Sequence, residues 1–136
     1  MLHVFHLQQA PLDEASRLFL ESLSLLPLDM RLYGQIRVAP LKYQALPPFT
    51  NQSWLPLQKL LYRKRHIAPV LASLKQGDRI ILTDWASCLV LPPTALRTYR
   101  AIQLVSLLPV GLPSAWQHAF VKASAHMRIV VPNDFI

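Results

Sequence analysis

The sequence predicts one α/β domain, a mostly parallel β-sheet flanked by helices, and three observations carry that prediction. Short apolar runs of strand-forming residues recur along the chain, as in HVFHL, RIILT, QLVSL and RIVV. Most are separated by stretches of about a dozen residues or more with helical spacing, the alternation that produces right-handed βαβ units. The third observation is bulk composition. A chain of 136 residues that is 52% hydrophobic and 15% charged can bury a sizeable core in a single domain spanning residues 1–136, with apolar surface left for a partner.

HVFHL (residues 3–7) predicts the first strand. Pro11-Leu12-Asp13-Glu14 then suits a first helical turn, with proline near its start and acids at the positive end of the helix dipole. Leu12, Ala15, Leu18, Phe19, Ser22, Leu23 and Leu26 recur at three- and four-residue intervals, which predicts an amphipathic helix with one core face. In LYGQIRVAPL (residues 32–41), Leu32, Ile36 and Val38 oppose Arg31, Gln35 and Arg37, a second strand. Residues 42–53, with Pro47-Pro48 and Asn51, read as loop. A helix is expected over residues 54–65, with Leu57, Leu60 and Leu61 toward the core, and Pro69 is expected to end it. A short helix over 70–74, a Gln76-Gly77-Asp78 turn and the buried strand RIILT follow. Residues 86–91 begin a helix that Pro92-Pro93 interrupt and residues 94–99 resume. QLVSL is the next strand, residues 113–126 a helix with Trp116, Phe120 and Val121 inward, and RIVV the last strand.

Charge is uneven. Residues 1–30 carry a net −3 and the remainder +10, giving +7 and a pI near 10.1. A basic chain is drawn to polyanions, whether nucleic acid or anionic lipid. No apolar run approaches the ~20 residues that span a bilayer, and MLHVFHLQQ lacks the basic stretch of a signal peptide. Cys88 is the single cysteine, so an internal disulfide is excluded and a reduced, cytoplasmic setting is expected.

Glycine is the telling shortage. With Gly34, Gly77 and Gly111 alone, the chain has no GxGxxG and no P-loop, and nucleotide sites of those types are excluded. The five histidines have no metal-ligand spacing, so neither metal nor cofactor is expected. Cys88 reads as a small buried hydrophobe. His6 falls at the C-terminal end of the first strand, where open α/β sheets place ligands, and Asp84 and Trp85 follow RIILT at the same edge. Asp84 has two readings, a binding group in a cleft or the cap of the helix that begins near Ala86. Arg63-Lys64-Arg65-His66, with Lys59 one turn earlier, is the densest basic cluster. It reads as a solvated helix face or as a contact for anionic lipid. Nucleic acid is a third partner class, although no RNP, zinc-finger or KH signature accompanies the charge.

Taken in order, LHVFHL, RIILTDWASCLVL, QLVSLLP and HAFVKASAHMRIVVPNDFI resemble the N-terminal Rossmann-like domain of GT-B glycosyltransferases, in particular the large retaining, sugar-nucleotide-dependent group. RIILTDW resembles that family's strand ending in a His-Asp-Trp-like turn, and KASAHMRIVVPNDFI its closing A-D-x-V-I-V-x-S-x-F run. The resemblance implies a three-layer Rossmann-like domain that binds acceptor, with His6, Asp84, Trp85 and the loop after Leu107 along its cleft. It also implies a second domain or subunit for the donor, beyond Ile136, so that this chain is not expected to be catalytic alone. There are departures. Gln8-Gln9-Ala10-Pro11 replaces the family's glycine-rich loop, Thr83 stands where the family often has His, and Leu108-Pro109 replaces its Thr-x-His-Gly. An acceptor-side domain, held at the inner face of an anionic membrane through Lys59, Arg63, Lys64 and Arg65, is the reading this favours. A non-catalytic basic adaptor that binds nucleic acid or a protein partner is the alternative.

Overall fold

The computed structural model describes residues 1–8, 14–27, 29–35, 41–49, 55–104, 122, 125 and 128–130. Its centre is β1 (Leu2–His6), hydrogen-bonded in parallel to β2 (Met30–Gly34) on one side and to β4 (Arg79–Leu82) on the other. The edge strand β3 (Lys42–Gln44) pairs with β2, while β5 (Ile102–Leu104) and β6 (Arg128–Val130) extend the sheet beyond β4. The order β3-β2-β1-β4-β5-β6 is parallel throughout. It is the order of a doubly wound sheet, in which the chain reverses direction between β1 and β4.

Successive side chains leave a strand on opposite faces, and the two faces build separate cores. Val4, Leu32, Ile81 and Leu104 pack under α1 (Glu14–Ser24) against Leu20, with Phe19 and Leu23 at the margin. Phe5, Tyr33, Ile80 and Leu82 face the other layer. There they meet α2 (Leu55–Tyr62), α3 (Ala68–Ala72), α4 (Trp85–Val90) and α5 (Pro93–Thr98) through Tyr62, Ile67, Val70, Leu89, Val90 and Leu96. The fold is therefore the three-layer α/β architecture that the alternation of segments predicts. Burial on both faces is why Val4-Phe5 and Ile80-Ile81-Leu82 are consecutive apolar residues rather than alternating with polar ones. Each fully buried Leu or Phe stabilises the fold by roughly 1.5–3 kcal/mol over an exposed one.

Several expectations are corrected. The buried centre of α1 is Leu20, while Leu18 and Leu26 are exposed, so the core face lies about one position round from the predicted stripe. The second strand runs from Met30 to Gly34, and residues 36–40 of the predicted strand lie outside the described residues. Gly34 has φ +100°, and a Cβ there would sit 2.2 Å from the His6 carbonyl oxygen, so only glycine fits where Gln35 N–H donates to that carbonyl. Residues 42–44, predicted as loop, form β3, an exposed edge strand carrying Lys42.

The largest correction concerns α2. Leu57, Leu60 and Leu61, expected in the core, are 45%, 59% and 42% exposed. The helix is instead rotated to bury Tyr62, whose ring meets Phe49 edge-on and whose hydroxyl donates to the Pro47 carbonyl. Pro69 does not end the helical path. The ring of a helical proline clashes with the carbonyl four residues back, and the chain widens into a π-helical turn over Arg63–Ile67, where Ala68 N–H donates to the Arg63 carbonyl five residues earlier. Pro69 then occupies the first turn of α3, where no N–H is needed. Of the predicted helix over 113–126 only Lys122 and Ala125 are among the described residues, and Trp54 and the end of QLVSL lie outside them.

Candidate functional site at the carboxyl edge of the sheet

In doubly wound sheets the ligand crevice lies beyond the carboxyl ends of the strands, where the order reverses. Here that point joins the ends of β1 and β4, and it brings His6 and Asp84 together as the sequence suggested. Both are buried, at 4% and 5% exposure. Asp84 caps α4, its Oδ1 accepting from Ser87 N–H at 3.1 Å. Its Oδ2 accepts from Leu7 N–H at 2.7 Å and from Gln8 N–H at 2.6 Å. One carboxylate thus satisfies three backbone donors from two connections and ties the end of β1 to the start of α4.

His6 completes the tie. Thr83 Oγ1 donates to the Phe5 carbonyl at 2.9 Å, so its remaining capacity is to accept, and His6 Nδ1, 2.9 Å away, supplies the proton. Thr83 N–H also donates to the Phe5 carbonyl. Thr83, where the resembled family often has His, therefore serves as the partner that orients His6. Trp85 begins α4, and its side chain lies outside the described residues.

Sequence reasoning missed two groups here. Ser87 Oγ and Gln103 Oε1 are buried beside Asp84 and have no hydrogen-bond partner among the described residues, although Gln103 Nε2 donates to the Asp84 and Leu104 carbonyls. The signal for Gln103 was an amide inside an apolar strand; Ser87 left none. Cys88 is buried, and burial, with the Asp84 charge behind it, pushes its thiol up to about 12, far from any nucleophilic role at neutral pH. Among the described residues, no three His, Cys, Asp or Glu side chains gather as a metal site.

The basic cluster divides. Arg63 turns inward and donates through Nε and Nη2 to the carbonyls of Val90 and Leu89 at the end of α4, and burial lowers its pKa. Lys59 is half-buried, with its pKa lowered first by burial and then by Arg63 and Lys122. Lys64 and Arg65 are exposed. Arg65 and His66 line a cavity of about 210 Å³ with Pro48, Phe49, Leu61 and Tyr62. Among the described residues, no helix is long and apolar enough to cross a membrane.

Strand order and edge geometry define the chain as a doubly wound, Rossmann-like α/β domain. Comparisons with protein-family models, curated proteins and solved structures find no match.

Proposed function

We propose that this chain is the acceptor-side domain of a GT-B glycosyltransferase, acting with a second domain or subunit that binds the donor sugar nucleotide. The observation that carries the reading is the occupant of the β1 terminus. In dinucleotide-binding domains the free N–H groups after the first strand and the N-terminus of the next helix receive a pyrophosphate, over a glycine-rich turn. Here the Leu7 and Gln8 N–H groups already hold the Asp84 carboxylate, and Gln8-Gln9-Ala10-Pro11 contains no glycine. A phosphate would meet a like charge and side-chain bulk. That supports a neutral or hydroxyl-bearing ligand at this edge, as the acceptor role requires.

Membrane attachment through α2 and the π turn belongs to the same proposal. The exposed Leu57, Leu60 and Leu61 share one helix face that leads to exposed Lys64 and Arg65. An apolar face beside basic side chains suits an anionic bilayer surface.

Amide NMR of the 15N-labelled protein tests the main reading. Saccharide and glycolipid acceptors are expected to shift the resonances of Leu7, Gln8 and Ser87, while nucleotide diphosphate sugars leave these three unchanged. A nucleotide sugar that binds at Leu7 and Gln8, or silence across an acceptor panel, overturns it. Co-sedimentation tests the attachment. Vesicles containing phosphatidylglycerol should retain the protein, and the Leu57→Ser/Leu60→Ser variant should lose about tenfold or more in partitioning. Equal retention of that variant removes α2 as the anchor.

A further inference from the structure

The amino edge of the sheet, opposite the crevice, gathers four guanidinium groups. Arg79 opens β4, Arg128 opens β6, Arg100 immediately precedes the short link into β5, and Arg97 lies in the last turn of α5. With Ala101, Ile102 and Ala125 they line a cavity of about 670 Å³. Strand β5 is bonded to both β4 and β6, so the three strand starts lie within two strand spacings, ~10 Å. All four arginines are exposed, and among the described residues none forms an ion pair. The neighbouring carboxylate, Asp78, is already committed. It accepts from Lys75 N–H at 3.0 Å, contacts His3 Nε2 at 2.9 Å and pairs with the chain N-terminus at 3.3 Å.

Backbone geometry points the same way. Arg100 has φ +48°, the left-handed conformation. It stands at the glycine position of a helix-ending Schellman turn, shown by Ala101 N–H donating to Leu96 O at 2.9 Å and Arg100 N–H to Arg97 O at 3.3 Å. A residue with a Cβ is disfavoured there. An arginine in that place sets its guanidinium beside the other three at the expense of local backbone ease, the kind of strain that collects at binding sites.

We infer that this amino-edge cavity binds a small ligand carrying two or three linked phosphate groups. Guanidinium forks match phosphate oxygens in pairs, and four cations with no ion-pair partner among the described residues repel one another until an anion enters. Among the described residues lining the cavity there is no aromatic side chain on which a base would stack, which separates this site from a single-stranded nucleic-acid platform. The site is distinct from the carboxyl-edge crevice and does not depend on the acceptor-domain reading.

Thermal unfolding of the intact chain, titrated with sodium tripolyphosphate at constant ionic strength, tests the inference. The midpoint should rise and saturate, and pyrophosphate should act more strongly than orthophosphate. Arg79→Gln/Arg128→Gln should weaken the apparent affinity by about a hundredfold, tenfold for each guanidinium removed, while Arg65→Gln leaves it unchanged. Arg100→Gly should raise the ligand-free midpoint by about 2–4 °C, as relief of the left-handed strain demands, and still weaken tripolyphosphate binding. Line broadening of the tripolyphosphate 31P resonances, present with the wild type and absent with the double variant, provides a readout independent of stability. An ATP arm shows whether a nucleoside adds to the phosphate chain. An identical response from wild type and double variant overturns the inference, as does preferential displacement of tripolyphosphate by duplex RNA at equal phosphate concentration.

Discussion

The two edges of the sheet treat charge in opposite ways. At the carboxyl edge, Asp84 and His6 are buried, and the Asp84 carboxylate and His6 Nδ1 are spent on Leu7, Gln8, Ser87 and Thr83. At the amino edge, Arg79, Arg97, Arg100 and Arg128 are exposed, and Asp78 is bound to other partners. The carboxyl edge is thus held together by its charged residue, whereas the amino edge has charge to spare. The lesson is that an acid or base near a cleft is a binding group only when the fold has not already used it.

The sharpest way to break this comparison is to remove Asp84. Three buried backbone donors lose their acceptor in Asp84→Ala, so denaturant unfolding should show a loss of about 3–4 kcal/mol. A loss below about 1 kcal/mol would mean that the carboxylate is available for a ligand after all. Asp78 comes next. The Lys75 N–H, ahead of His3 and the N-terminus, holds its carboxyl down at about 2. Because that is below its unfolded value of 3.8, its stabilisation is fully present above about pH 4 and is lost as pH falls toward 2. Asp78→Asn should lower stability at pH 7 by about 1–2 kcal/mol and flatten acid unfolding across that window.

Relief at Arg100 should act in the other direction, with Arg100→Gly stabilising the ligand-free chain by about 0.5–1 kcal/mol. The smallest effect is expected from Arg79→Gln without ligand, within about 0.5 kcal/mol of the wild type, since Arg79 is exposed and forms no ion pair among the described residues. A loss above about 1 kcal/mol there would show that the amino edge is structural too.

Much of this was legible in advance. Strand positions in HVFHL and RIILT follow from residue type, because a strand buried on both faces is built mainly from apolar residues. The position of Asp84 before Ala86 marked the N-cap, since a short acid at that point satisfies helix N–H groups locally. The orientation of α2 was not legible. Leucines at 57, 60 and 61 and a tyrosine at 62 offer two competing apolar faces, and the choice fell to Tyr62 because Phe49 and the Pro47 carbonyl meet it there. The arginine edge escaped notice because its members span Arg79 to Arg128 and only the parallel register of β4, β5 and β6 brings them together.

The sequence by itself determined the class of the fold, the absence of a glycine-rich phosphate turn and the net positive charge of +7. Each depends on residue type or on spacing within one element, where the physics is local. Tertiary structure decided which charges remain available. Asp84 reaches Leu7 and Gln8 across more than seventy residues, Arg63 reaches Val90, and the four arginines share a cavity. Whether a side chain's hydrogen bonds go to its own backbone or outward to a ligand is set by neighbours that the fold, not the chain order, supplies.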